Sequence, residues 1–116
     1  RSEHMSKEYL YIGHYIDVNN KYVLKVGTTD NPKRRQKQHN RYYPNADKHP
    51  MKQGTTFQYD WKHKLSHANT LKYETLIKED IKAAEVAEYV AHDRFVFEKK
   101  PDKIYLQIRK TWEVEL

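Results

Sequence analysis

The sequence predicts an α+β fold in which a small antiparallel β-sheet is flanked by helices. Two strand-like segments, 9–16 and 21–26, are rich in tyrosine, valine and isoleucine, and Asp17–Asn20 between them has the composition of a turn. A basic segment that follows, 32–41, and a later one, 67–81, carry helix-capping residues at their starts. A β-hairpin followed by separate helices is typical of an α+β domain with a small sheet.

The hairpin and the first helix have clear local signals at their ends. Gly27 is predicted to end the second strand, because glycine is common where a strand gives way to a turn. Asp30 or Asn31 is expected to cap the helix, and Pro32 lies in its first turn, where a missing N–H costs nothing. The helix is predicted to run to about Arg41.

A loop and a third strand are expected next. Residues 43–54 contain two prolines and a glycine and are predicted to form an exposed loop. Residues 55–61 alternate three aromatic side chains with polar ones, which predicts a strand with Phe57, Tyr59 and Trp61 on one face.

A second helix is predicted after Ser66, which can serve as its cap. Leu71, Ile77 and Ile81 form a rough apolar stripe along it, with Leu76 beside them.

The last third of the chain is less clearly patterned. Residues 85–91 either continue the second helix or start a short new one, and 94–97 is predicted as a strand. The tail, 101–116, fits a helix or a strand, and we favour the helix.

Charge and cysteine content narrow the classes of function. The 116 residues suit one domain, assigned to 5–116, and residues 1–4 are interpreted as a cloning remnant. The net charge of +6 indicates a polyanionic partner, nucleic acid before membrane, and no apolar run approaches the roughly 20 residues needed to cross a bilayer. The absence of cysteine excludes disulfides and fits a reducing compartment, the cytoplasm or the nucleus.

Four residues form a plausible set for cleaving a phosphodiester bond. They are a tyrosine in the first strand, an arginine and a histidine one turn apart on the first helix, and a glutamate on the second helix. The positions are Tyr11, Arg35, His39 and Glu74. Such a reaction needs a proton acceptor, a cation at the phosphoryl oxygens and usually a metal ion.

The order and spacing of these residues resemble the GIY-YIG nuclease superfamily, and most closely its small phage- and virus-associated branch. Tyr11 corresponds to the tyrosine of the first motif, Gly27 to the glycine of the second, and Arg35, eight residues later, to the catalytic arginine. His39 matches a histidine common in the family, and Glu74 matches the glutamate that holds a divalent cation. The resemblance implies a metal-dependent DNA endonuclease that uses Mg²⁺ or Mn²⁺.

Lys25 is the main departure, because it stands where the second motif has a tyrosine. It could accept a proton only if burial and neighbouring charge lower its pKa far below ~10.4. We favour an electrostatic contact with phosphate, with Tyr11 or His39 handling the proton. A third alternative is that catalysis is lost and only nucleic-acid binding remains.

The partners follow from the same resemblance and from charge. DNA is the expected partner, with RNA as an open alternative. The domain is expected to be a monomer or a homodimer, and no membrane is expected as a partner. The exposed cations of the first helix are the expected phosphate contacts: Lys33, Arg34, Lys37 and Arg41. Two simpler explanations stay open: a protein-interaction domain with a basic helix, and a Glu74 that merely pairs with Lys72 or Lys78.

Overall fold

The computed structural model describes residues 7–82 and 88–101, and within them it confirms the α+β class. Five antiparallel strands form one sheet in the order β3-β1-β2-β5-β4, accompanied by two α-helices and one short 3-10 helix. In chain order the elements are β1 (Lys7–Ile16), β2 (Tyr22–Thr29), α1 (Pro32–Tyr42), the 3-10 helix (Tyr43–Asn45), β3 (Gln58–Ser66), α2 (His67–Lys82), β4 (Glu88–Val90) and β5 (Arg94–Phe97). Within these ranges, no helix is long and apolar enough to cross a membrane.

The predicted hairpin of β1 and β2 is confirmed, and its turn is stabilised by Asp17. The buried Asp17 carboxylate accepts hydrogen bonds of 2.8 Å from the backbone N–H groups of Asn19 and Lys21. Asn20 supplies the left-handed backbone, with φ of 64°. The prediction that Gly27 ends the second strand is wrong, because β2 continues two residues further.

The first helix begins as predicted. The Asn31 side chain accepts a hydrogen bond of 3.1 Å from the backbone N–H of Arg34, and Pro32 is the first helical residue. The helix ends at Tyr42, one residue beyond the predicted end.

The sheet buries a hydrophobic cluster on each face. Leu10 and Ile12 of β1 point to the face that α2 covers, whereas Tyr11 and Tyr15 point to the face that carries α1 and the following loop. Alternation along a single strand therefore supplies both cores. The candidate site lies on the Tyr11 face.

The third strand starts later than predicted, and its aromatic residues do not share one face. Phe57 precedes β3, and Phe57 and Tyr59 pack in the Tyr11 cluster, whereas Trp61 packs against the opposite cluster. Consecutive residues of β1 pair with Trp61 and Tyr59, so Asp60 is an extra residue at a bulge. Because of this extra residue, the side chains of Tyr59 and Trp61 point to opposite faces of the sheet.

The segment 43–54 is a loop that contains a short 3-10 helix, but the prediction that it is exposed is wrong in part. Tyr43 and Met51 are 2% and 3% exposed. The Arg94 guanidinium fastens this loop by donating a 2.8 Å hydrogen bond to the Lys48 carbonyl. The loop is therefore part of the core that surrounds the site.

The second helix begins after Ser66 as predicted, and the Ser66 hydroxyl accepts a 3.4 Å hydrogen bond from the Asn69 N–H. The predicted apolar stripe is half right, because Leu71 and Leu76 are 50% and 41% exposed. The buried residues of α2 are Thr70, Tyr73, Ile77 and Ile81.

The remaining predictions have mixed outcomes. Residues 94–97 form the predicted strand, β5. The proposed helix over 85–91 is wrong where it can be compared, because Glu88–Val90 is a strand that pairs with β5. Residues 83–87 and 102–116, with the tail helix that we favoured, lie outside the described residues.

Candidate active site

A buried tyrosine–histidine pair lies at the centre of the site. Tyr11 points from β1 towards α1, and its hydroxyl is 2.8 Å from His39 Nε2. Burial, with smaller contributions from Lys25 and Arg35, lowers the pKa of His39 to about 3, so the imidazole is neutral near pH 7. Burial also raises the pKa of Tyr11, which keeps its proton. The phenol is therefore protonated and the imidazole neutral, and the tautomer of His39 sets which of the two donates.

Gly27 is needed for this arrangement. It lies directly opposite Tyr11 in the β1–β2 ladder. A Cβ atom on Gly27 would lie 2.5 Å from the Tyr11 hydroxyl oxygen and 2.7 Å from its Cζ. The tyrosine ring therefore lies across the glycine, and the motif glycine is explained by close packing within the sheet, not by a strand end.

A cavity of about 330 Å³ opens beside this pair. Its walls are basic and aromatic, and among the described residues that form them there is no carboxylate. The lining residues are Lys25, Arg35, Gln38, His39, Tyr42, Tyr43 and His92. The electrostatic character of the cavity favours an anion.

Lys25 is held in the cavity by a backbone contact. Its ammonium donates a hydrogen bond of 2.6 Å to the carbonyl oxygen of His92. Burial lowers the pKa of Lys25 to about 8, although the negative charges of Asp93 and Glu74 oppose this shift. A neutral fraction of the amine is therefore present around neutral pH.

Arg35 has an unused hydrogen-bond donor. Its Nε is buried and has no hydrogen-bond partner within the part of the chain that the structure describes. A buried donor without an acceptor costs about 1–3 kcal/mol. The charge of Arg35 also acts on Tyr11, Lys25 and His39, which indicates that the four groups share one electrostatic environment.

Glu74 is paired with a lysine one helical turn away. Lys78 Nζ is 3.5 Å from Glu74 Oε2 and 2.8 Å from Asp93 Oδ2. Although burial opposes the shift, these two carboxylates raise the pKa of Lys78. The negative charge of Glu74 acts on Tyr11 and Lys25. Of the five predicted site residues, Lys25, Arg35 and His39 line the cavity, whereas Tyr11 and Glu74 are not among its described lining residues.

Sequence reasoning missed the bridging position of Lys78, although its spacing from Glu74 identified it as a pairing partner. It also missed a second basic surface on the edge strand β3. Lys62 is opposite Tyr11 in the ladder and lies 5.3 Å from the Tyr59 ring centre. Lys64, two residues on, lies 5.8 Å from the ring centre of a β1 tyrosine. The closeness of these lysines to aromatic residues in the sequence could have indicated this basic surface.

The predicted phosphate contacts on α1 are placed differently from one another. Lys33, Arg34 and Lys37 are exposed, and Arg34 forms an ion pair with Asp30. Arg41 is exposed near the end of the helix and lines a second cavity. The helix therefore carries several cations at the surface, as expected.

A model of the family described as T5orf172 domain matches residues 8–112. The chain belongs to this family. Comparison with curated proteins and with solved structures gave no match. In this T5orf172 domain the matched range contains the tyrosine–histidine pair, the basic cavity and Glu74.

Proposed function

We propose that this T5orf172 domain is a metal-dependent endonuclease that hydrolyses DNA phosphodiester bonds on a GIY-YIG-like scaffold. The observation that carries the proposal is that Lys25 and Arg35 line one cavity without a carboxylate in its described walls, while Arg35 Nε has no hydrogen-bond partner among the described residues. A phosphate bound in this cavity would accept charge-assisted hydrogen bonds from Arg35 and Lys25, and such bonds are the stronger ones. Arg35 would also stabilise the negative charge of the transition state.

The pKa values of the site support one assignment of the proton acceptor. Burial keeps Tyr11 protonated, and a His39 with a pKa of about 3 is a weak base. Lys25, with a pKa of about 8, is the group of the three that titrates close to neutral pH. We therefore assign proton acceptance from the attacking water to Lys25, in place of the purely electrostatic role that the sequence favoured. His39 then forms part of the cavity wall, and Tyr11 holds its ring in place through their hydrogen bond.

The side chains present fit a divalent cation at Glu74. Mg²⁺ usually binds proteins through one or two carboxylates and completes its shell with water and substrate phosphate. Glu74 offers one carboxylate, and the Lys78 ammonium now bound to it also has Asp93 as a partner, so Lys78 can leave Glu74 and stay paired. A bound ion would supply charge stabilisation at the leaving oxygen.

The second candidate function is a nucleic-acid-binding module without catalysis. Lys78 favours it, because this ammonium already neutralises Glu74 without a metal ion. In that case Lys25 and Arg35 would hold phosphate without cleavage.

The test is nicking of supercoiled plasmid with Mg²⁺, Mn²⁺ or EDTA, together with DNA binding by fluorescence anisotropy in EDTA. Glu74→Gln should abolish cleavage and leave binding unchanged or slightly tighter, because it removes one negative charge. Glu79→Gln, which changes an exposed carboxylate of the same helix, is the matched control and should cleave like the unmodified protein. Binding without any metal-dependent nicking would favour the second candidate, and absence of both would reject the two together.

A further inference from the structure

A second cavity, of about 290 Å³, lies beside the basic one. Gln38 and Tyr42 line both cavities, so the two share a wall. Arg41 and Asn45 complete the described lining of the second cavity. A molecule bound at Lys25 and Arg35 in the first cavity could thus extend directly into the second.

Tyr42 gives this shared wall an exposed aromatic surface. The residue is 54% exposed although it is the last residue of a packed helix. Its ring centre is 5.7 Å from that of Tyr43 at an interplanar angle of 65°, and 6.2 Å from that of His92 at 86°. These two edge-type contacts hold the ring, which reduces the entropy that a stacking partner would have to overcome.

The amide side chains of α1 and the turn that follows it divide into two groups. Gln36 and Asn40 are used internally, since the first donates to the Phe57 carbonyl and the second accepts from the Phe57 N–H. Gln38 and Asn45 line the second cavity, and neither side chain has a hydrogen-bond partner among residues 7–82 and 88–101. These two amides can therefore donate to and accept from a ligand.

An aromatic ring, two free amides and an arginine are the groups that proteins use to hold a nucleobase. The ring stacks on the face of the base, and glutamine, asparagine and arginine form hydrogen bonds with its edge. We infer that Tyr42 is the stacking surface of a nucleobase subsite, with Gln38 and Asn45 at the edge of the base. The inference rests on the proposed function, because it places the base next to a phosphate held by Arg35.

The inference specifies a class of substrate. A base in an intact duplex is already stacked on both sides, so stacking on Tyr42 requires a base that is unpaired or turned out of the helix. The subsite therefore favours DNA with a bulged, gapped or branched position over a continuous duplex.

The experiment uses two short duplexes of the same sequence, one fully paired and one with a single unpaired 2-aminopurine. Binding is measured by anisotropy in EDTA, and stacking by quenching of 2-aminopurine fluorescence. The unmodified protein should bind the bulged duplex more tightly and quench it. Tyr42→Ala should weaken binding to the bulged duplex by about 5- to 150-fold, the range for loss of one base–aromatic stack, and abolish the quenching. Tyr42→Phe should retain both.

Leu71→Ala is the matched control, because Leu71 is similarly exposed but lies on α2, which packs against the other face of the sheet. It should behave like the unmodified protein on both duplexes. Equal binding to the two duplexes without quenching, or an equal loss on both with Tyr42→Ala, would overturn the subsite and leave the proposed function standing. Failure to bind either duplex would overturn both.

Discussion

Lowering the pH from 7 to 5 should destabilise the fold through His39. In the folded state its pKa is about 3, whereas a histidine in an unfolded chain has a pKa of about 6.5. Below pH 6.5 the unfolded chain therefore binds a proton that the folded protein excludes, and stability falls as the pH falls. At pH 5 the unfolded histidine lies 1.5 pH units below its own pKa, which corresponds to a loss of about 2 kcal/mol. This value holds for any folded pKa below about 4.

Urea unfolding at pH 7 and pH 5 measures this loss. Other groups also contribute to the pH dependence, including His49, whose pKa is raised by its two carboxylate partners against the effect of burial. His39→Gln keeps those groups and removes only the His39 imidazole. Between pH 7 and pH 5, the free energy of unfolding of the unmodified protein should therefore fall by about 2 kcal/mol more than that of this variant.

Tyr11→Phe tests whether burial or the hydrogen bond to Tyr11 lowers the pKa of His39. Burial is the largest contribution to the lowered pKa of His39, so Tyr11→Phe should keep the additional pH-dependent loss. If the unmodified protein and His39→Gln lose equal stability between pH 7 and pH 5, His39 is accessible to protons in the folded state and the reasoning is refuted.

Three further predictions address the cavity, the edge strand and the sheet. Lys25→Arg should abolish cleavage from pH 6 to pH 10 while DNA binding persists. In the unmodified protein, the cleavage rate should rise with pH with a pKa near 8. Retained cleavage in Lys25→Arg would show that Lys25 has an electrostatic role. Changing Lys62 and Lys64 together to glutamine should reduce the slope of the logarithm of the DNA-binding constant against the logarithm of salt concentration by about 2. The control is Lys72→Gln, which removes a similar lysine–tyrosine contact on α2 and should leave the slope unchanged. Gly27→Ala should cost about 1–3 kcal/mol in urea unfolding, because its Cβ would overlap the buried tyrosine; a negligible change would mean that the ring can move aside.

Local chemistry allowed the hairpin and the start of α1 to be predicted from the sequence. Asp17 bonds to backbone groups two and four residues away, and Asn31 caps a helix whose first residue is Pro32. Such contacts depend on a few neighbouring residues, so their signals can be recognised in the sequence. The four-residue spacing of Arg35 and His39 likewise predicts one helical face.

Contacts between distant residues decided what the sequence left open. The bulge at Asp60 turns Trp61 to the other face of the sheet. A bulge cannot be predicted from the alternation of residues along the strand, because that alternation assumes one partner for every residue. The function of Gly27 depends on Tyr11 lying directly across the ladder, sixteen positions earlier in the chain.

The chemistry of the site also depends on three-dimensional surroundings. A lysine at position 25 has an ordinary pKa in an unfolded chain, and burial in the fold, with smaller contributions from Lys78 and Arg35, lowers this pKa to about 8. Lys78 could be recognised as a partner of Glu74 from their spacing, but its shorter contact with Asp93, fifteen positions later in the chain, is formed only in the folded protein. The sequence alone therefore determined which ionisable groups the site contains, whereas the tertiary structure decided their protonation and partners, because both depend on solvent exclusion and on charges brought together by folding.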